Sequence, residues 1–198
     1  MNLPNRLTII RLILVPVFVV LMSVDHLATY VLAYIVFMVA SITDYWDGRI
    51  ARERNLITNF GKLMDPLADK VLMAAAFVML MEVPALTVPG WAIVAILARE
   101  FLITGARSVA APGGKVLAAN IWGKVKTVMQ MTYIYTFLFL AIVAKLIEYW
   151  AGDYLDVYAA VLGWASLVGI VIVALFTVYT GLQFAQSNWK ELRLGTEI

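Results

Sequence analysis

Four aspartates stand at fixed spacing in this chain: Asp44-x-x-Asp47-Gly48-x-x-Ala51-Arg52 and, eight residues on, Gly61-x-x-x-Asp65-x-x-x-Asp69. Members of each pair lie three or four residues apart, which on a helix puts both side chains on one face. The pairs sit where one apolar segment ends and the next begins. If those segments are antiparallel neighbours joined by a loop of about a dozen residues, the four carboxylates surround one small volume. Two unit charges about 4 Å apart repel by roughly 4 kcal/mol at an effective dielectric of 20. One or two divalent cations remove that repulsion, and paired metals typically stand about 4 Å apart. The alternative is a set of interfacial charges reaching into water, but Asp is too short to snorkel far.

The rest of the composition narrows the metal. The chain has no cysteine and one histidine, His26. Thiolate and histidine-rich sites are therefore excluded, and disulfides with them. Oxygen donors remain, which favours hard cations such as Mg²⁺ or Mn²⁺. Around the aspartates, Gly48 offers backbone without a side chain to an approaching ligand. Arg52 supplies a planar fork suited to phosphate. Gly61 serves either ligand approach or helix packing. Pro66 is expected in the first turn of a helix, where proline is tolerated.

The segments that must position these groups are apolar. Of 198 residues, 63% are hydrophobic and 14% charged, and the mean hydropathy is +0.89. A water-soluble domain carries roughly 25% charged residues. Six stretches approach the roughly 20 residues needed to cross a bilayer: 7–24, 29–49, 61–82, 90–110, 122–148 and 157–186. The expectation is an all-α integral membrane protein, one six-helix domain over 1–198 with a short amphipathic segment at about 1–6. The first stretch lacks a small-residue cleavage site near Ser23 and is read as a retained helix. Basic residues crowd one side: Arg6, Arg11, Arg49, Arg52, Arg107, Lys124, Lys126 and Lys190 among them. The other side holds Asp25, Glu82, Asp153 and Asp156, with Lys145 nearby. That asymmetry puts both termini and the aspartates in the cytoplasm. A net charge of +2 gives no argument for nucleic acid.

The stretch from Asp44 to Asp69 resembles the signature of the CDP-alcohol phosphotransferase family, with every fixed position filled. The resemblance implies a six-helix fold, often dimeric, with a metal site opening to the cytoplasmic side of a bacterial inner membrane. It implies transfer of a substituted phosphate from a CDP-linked donor to an alcohol, with release of CMP. Asp44, Asp47, Asp65 and Asp69 would be metal ligands, and Asp69 also the general base. Asn5, Thr8, Asp47, Gly48, Arg52, Gly61 and Asp65 would bind CDP, although Asn5 is equally a helix cap.

Three further segments, Pro4 to Arg11, Arg99 to Arg107 and Gly123 to Gln130, are similar to the family's bacterial phosphatidylglycerophosphate-forming branch. That likeness implies CDP-diacylglycerol as donor and sn-glycerol 3-phosphate as acceptor. The short link containing Pro112, Gly113 and Gly114 departs from the pattern. A dianionic acceptor needs extra cations, and Arg99, Arg107, Lys124 and Lys126 are candidates. Arg99 stands out because an arginine at the centre of a spanning helix costs about 2.5–3.5 kcal/mol on insertion scales. For Arg107, Lys124 and Lys126 the alternative is ordinary anchoring on the positive side. Glu100 reads as a partner for a helix cation. Lys70 either binds phosphate or balances the aspartates. Lys145 and the Trp150 region read as an outer interfacial belt, and His26 as a loop residue. Sister transferases acting on inositol phosphate, serine or phosphatidylglycerol share the aspartate motif. A divalent-cation transporter is the rival outside enzymes, but it calls for carboxylates near mid-membrane and a path to both sides.

Overall fold

A computed structural model describes residues 3–53, 59–110, 121–150 and 155–189; the side chains of 3–5, 44–53, 59–63 and 155 lie outside this description. Among the described residues six helices follow in order: α1 (Leu3–Ser23), α2 (Leu27–Glu53), α3 (Asn59–Met81), α4 (Gly90–Ala110), α5 (Ile121–Trp150) and α6 (Leu155–Ser187). Among the described residues there is no strand.

The helices follow the expected apolar stretches but overrun several of them. Helix α2 continues through the polar segment 44–53, which contains the helix formers Ala51, Arg52 and Glu53. Asp44 and Asp47 therefore lie within α2, and only residues 54–58 separate it from α3. The expected loop of about a dozen residues is replaced by two helices that extend toward one another. Pro66 is likewise inside α3, beyond its first turn. There it withholds one backbone hydrogen bond from the carbonyl four residues earlier.

Among the described residues, three helical stretches are long and apolar enough to cross a membrane by themselves: Arg6–Ser23, Ile121–Trp150 and Asp156–Ser187. Leu27–Thr43 is a shorter apolar run. Helices α3 and α4 fall short in apolarity for a physical reason: they carry Asp65, Asp69, Lys70, Arg99, Glu100 and Arg107, the residues with chemistry.

Helix α1 packs chiefly on α2 and α3, while α6 packs on α4 and α5, and α5 also meets α2. Phe18, Phe37, Ala33, Ala40, Ala76 and Phe77 are fully buried between them. Phe37 holds Phe18 at 5.7 Å and Tyr135 at 5.2 Å between ring centroids. Small residues let these backbones approach, as membrane helices require. Gly169 is one such position: a Cβ there would stand 3.0 Å from the Tyr133 ring. The outer surface is apolar, with Val94, Trp164 and Leu175 among the exposed residues. In water such continuous patches mark an interaction surface, whereas hydrocarbon solvates them.

Candidate functional site: an aspartate pair beside a cation-lined cavity

Helix α3 presents Asp65 and Asp69 one turn apart, both partly buried. Thr8 of α1, itself fully buried, donates its hydroxyl to Asp65 Oδ1 at 2.5 Å. This bond crosses from the first helix to the third and fixes one carboxylate oxygen, leaving the other available. Arg11, one turn further along α1, is also fully buried. The side chains of Asp44, Asp47, Arg52 and Asn5, and the surroundings of Gly48 and Gly61, lie outside the described residues. Among the described residues no cluster of three or more carboxylates or imidazoles could hold a metal. What is described is one half of the expected constellation, with an all-oxygen donor set that suits a hard cation.

One residue beyond Asp69, Lys70 leads into a second arrangement. Its Nζ stands 3.4 Å from Asp69 Oδ2 and 2.8 Å from Glu100 Oε2. Glu100 of α4 is only 3% exposed and is held by three cations from three helices. Besides Lys70, Arg99 Nη1 reaches its Oε1 at 3.3 Å, and Lys126 of α5 pairs with the same oxygen. Gln130 Nε2, one turn beyond Lys126, donates to Glu100 Oε1 at 3.4 Å and to Thr177 Oγ1 of α6 at 3.1 Å. Arg99 Nη2 reaches Thr180 Oγ1 of α6 at 3.3 Å. Three helices thus meet on one carboxylate, and α6 is tied in through Gln130 and Arg99. A buried charge must be paired and hydrogen-bonded to persist, and Glu100 satisfies both conditions.

Beside this hub lies a cavity of about 480 Å³. Lys70, Arg99, Arg107, Lys124 and Lys126 line it, and among the described residues Glu100 is the one acid in its walls. All four cations singled out from the sequence for an acceptor phosphate border this one space. Lys70 joins them, and it also connects the cavity to Asp69. Among the described residues the cations outnumber the carboxylates here, with Lys70, Arg99 and Lys126 largely buried and Arg107 and Lys124 exposed, which leaves the cavity positively charged. The arrangement can bind a compact polyanion and hold it close to an aspartate pair suited to a metal.

Sequence reasoning took Glu100 for a partner to one cation; it serves three. The available signal was a lone acid next to Arg99 inside an apolar helix, a costly placement that calls for a partner. Thr8 was foreseen only as a nucleotide donor, not as a hydrogen-bond partner of Asp65. Nothing in the local pattern links positions 57 residues apart.

Comparison with known proteins adds an independent finding. Residues 1–172 match the family model for CDP-alcohol phosphatidyltransferase. A Bacillus subtilis protein is 35% identical, with 97% of both chains covered, and is named CDP-diacylglycerol–glycerol-3-phosphate 3-phosphatidyltransferase. Proteins of the same name from Rickettsia felis and Haemophilus influenzae are 35% and 32% identical, covering 96% and 93% of this chain.

Proposed function

This chain belongs to the CDP-alcohol phosphatidyltransferase family, and we infer that it makes phosphatidylglycerophosphate and CMP from CDP-diacylglycerol and sn-glycerol 3-phosphate. The observation that carries the acceptor's identity is the cavity lined by Lys70, Arg99, Arg107, Lys124 and Lys126. A neutral alcohol has no use for five cations. A phosphorylated one brings a dianion that they would neutralise with charge-assisted hydrogen bonds.

The donor's diphosphate would lie against the aspartates. Asp65 and Asp69, with Asp44 and Asp47 of α2, would hold one or two divalent cations, Mg²⁺ or Mn²⁺. The fit rests on the oxygen-only donor set and on the Thr8 bond that orients Asp65. A divalent cation bound there supplies charge that offsets the diphosphate and the departing CMP. Asn5, Thr8, Asp47, Gly48, Arg52, Gly61 and Asp65 are the residues assigned to CDP.

The chain's own part in the chemistry is positioning and one proton transfer. The cavity cations hold the acceptor phosphate so that its alcohol end points toward Asp69, which Lys70 joins to the cavity wall. Asp69 accepts the proton from that hydroxyl. The hydroxyl oxygen bonds to the phosphorus bearing diacylglycerol, and the bond from that phosphorus to the CMP oxygen breaks. CMP departs with the electron pair while the proton stays on Asp69.

We read all six helices as membrane crossings of a single domain, with both termini and the site on the cytoplasmic face of a bacterial inner membrane. The acyl chains of the donor then stay in hydrocarbon while its headgroup reaches the aspartates. A homodimer is the proposed assembly. The test is CMP release by purified protein given CDP-diacylglycerol, Mg²⁺ or Mn²⁺ and a panel of acceptors: sn-glycerol 3-phosphate, inositol phosphate, serine and phosphatidylglycerol. Release with the first alone is expected; a preference for any other acceptor overturns the assignment.

A further inference from the structure

Glu100 is buried, yet it forms part of the wall of the cation-lined cavity. Its Oε2 takes Lys70 at 2.8 Å, and its Oε1 takes Arg99 at 3.3 Å together with Lys126. Three of the cavity's five cations therefore already rest on a carboxylate. The other two, Arg107 and Lys124, are exposed. A phosphate that enters this space asks for the same donors that Glu100 holds.

The donors differ in how freely they can change partner. Lys70 and Lys126 carry ammonium groups on flexible stems that can turn from one oxygen to another. Arg99 is held more firmly: Thr180 Oγ1 accepts from its Nη2 at 3.3 Å, and its stem lies where a Cβ on Gly181 would stand 2.9 Å from Cγ. Glu100 is not left bare when the lysines turn. Gln130, itself fully buried, donates from Nε2 to Glu100 Oε1 at 3.4 Å and to Thr177 Oγ1 at 3.1 Å. A neutral amide and one seated guanidinium thus keep the carboxylate hydrogen-bonded, as a buried charge requires.

We propose that Glu100 is an internal counter-anion: it yields Lys70 and Lys126 to the acceptor's phosphate and takes them back as the product leaves. The inference rests on the assignment of this cavity to the acceptor phosphate. In the transfer the new bond forms at the acceptor's hydroxyl, so its phosphate monoester passes unchanged into the product. Contacts to that phosphate hold substrate and product alike, and binding shared by all states does not speed the chemical step. Cations without a resident anion would therefore retain the product. Glu100 is tethered at contact distance and competes for them at every turnover. It also gives the lysines a partner while the cavity is empty, which removes the cost of stranding buried charge. Glu100 is thus a positioning residue: it touches no reacting atom, but it sets how tightly acceptor and product are held.

The test compares the full chain as wild type, Glu100→Gln and Glu100→Asp in detergent micelles. Equilibrium dialysis with radiolabelled inorganic phosphate reads the exchange without turnover. Removing the resident anion should tighten phosphate binding about 10-fold, the equivalent of one charge-assisted contact returned to the ligand. Glu100→Asp keeps the charge that the cations need but draws the carboxylate back by one methylene. It should tighten binding by a smaller factor, and it decides the matter if Glu100→Gln does not fold. In CMP release, KM for sn-glycerol 3-phosphate and kcat should fall together, because the acceptor binds more tightly and the product leaves more slowly. Structural damage alone does the opposite: it weakens phosphate binding and raises KM. Phosphate binding no tighter than wild type in the variants that fold, or a KM that rises, overturns the proposal. The two readings fail separately. A wild type that takes up neither phosphate nor sn-glycerol 3-phosphate overturns the acceptor assignment, whereas one that takes up both, with no gain in the variants, overturns the exchange alone.

Discussion

Replacing Glu100 with Gln puts the buried hub to a quantitative test. Glu100 is 3% exposed, and the side chains of its partners Lys70, Arg99 and Lys126 are 14%, 12% and 5% exposed. Glutamine keeps the shape and can still accept hydrogen bonds, but it leaves three poorly hydrated cations without their shared anion. Removing one partner from a buried ion pair costs about 3–5 kcal/mol. For a chain of this length each kcal/mol lowers Tm by about 2–4 °C, so a fall of about 6–20 °C is expected. Thermal unfolding in detergent micelles, followed by intrinsic tryptophan fluorescence, measures it. The double variant Glu100→Gln/Lys126→Met removes one of the stranded cations. It should recover part of the loss, a coupling that the two single variants cannot show. Inorganic phosphate should protect Glu100→Gln more than wild type, because an anion in the cavity replaces the missing carboxylate. A Tm within about 2 °C of wild type would refute the view that Glu100 holds the cations together.

Three further outcomes follow from the same geometry. Thr8→Val removes the donor to Asp65, so half-maximal activity should require about 10- to 100-fold more Mg²⁺ or Mn²⁺; an unchanged metal titration counts against Asp65 as a ligand. Asp69→Asn should abolish CMP release while CDP binding, measured by calorimetry, stays largely intact, and parallel loss of both would point to a purely structural role. Gly181→Ala drives a methyl against the Arg99 stem, where 2.9 Å separates the Cβ position from Cγ. It should cost about 1–3 kcal/mol in unfolding and weaken acceptor saturation; a neutral outcome would mean that Arg99 does not depend on its seat against α6.

Much of this architecture was legible in the sequence because hydrocarbon imposes simple rules. Apolar runs of sufficient length become helices, and the helix positions followed. The aspartate spacing was legible for the same reason, since charge at the edge of an apolar segment must have a partner. Helix ends were less so: α2 continues through 44–53 because Ala51, Arg52 and Glu53 favour helix once the apolar stretch has ended. Contacts between distant segments were not legible. No local pattern brings Lys70, Glu100 and Lys126 together, or places Thr8 on Asp65, because those meetings depend on how four helices cross. Arg99 was conspicuous as a deep charge, yet its seat against α6 depends on Gly181, a glycine whose neighbours only the fold supplies.

The most direct measurement is the rate of CMP release against sn-glycerol 3-phosphate and against CDP-diacylglycerol, for wild type, Arg107→Gln and Lys126→Met. Losing one charge-assisted contact to the acceptor phosphate removes about 1.5–3 kcal/mol, so KM for sn-glycerol 3-phosphate should rise about 10- to 100-fold. KM for CDP-diacylglycerol should stay close to wild type. Equal changes in both, or none in the acceptor term, would contradict the assignment of this cavity to the acceptor phosphate.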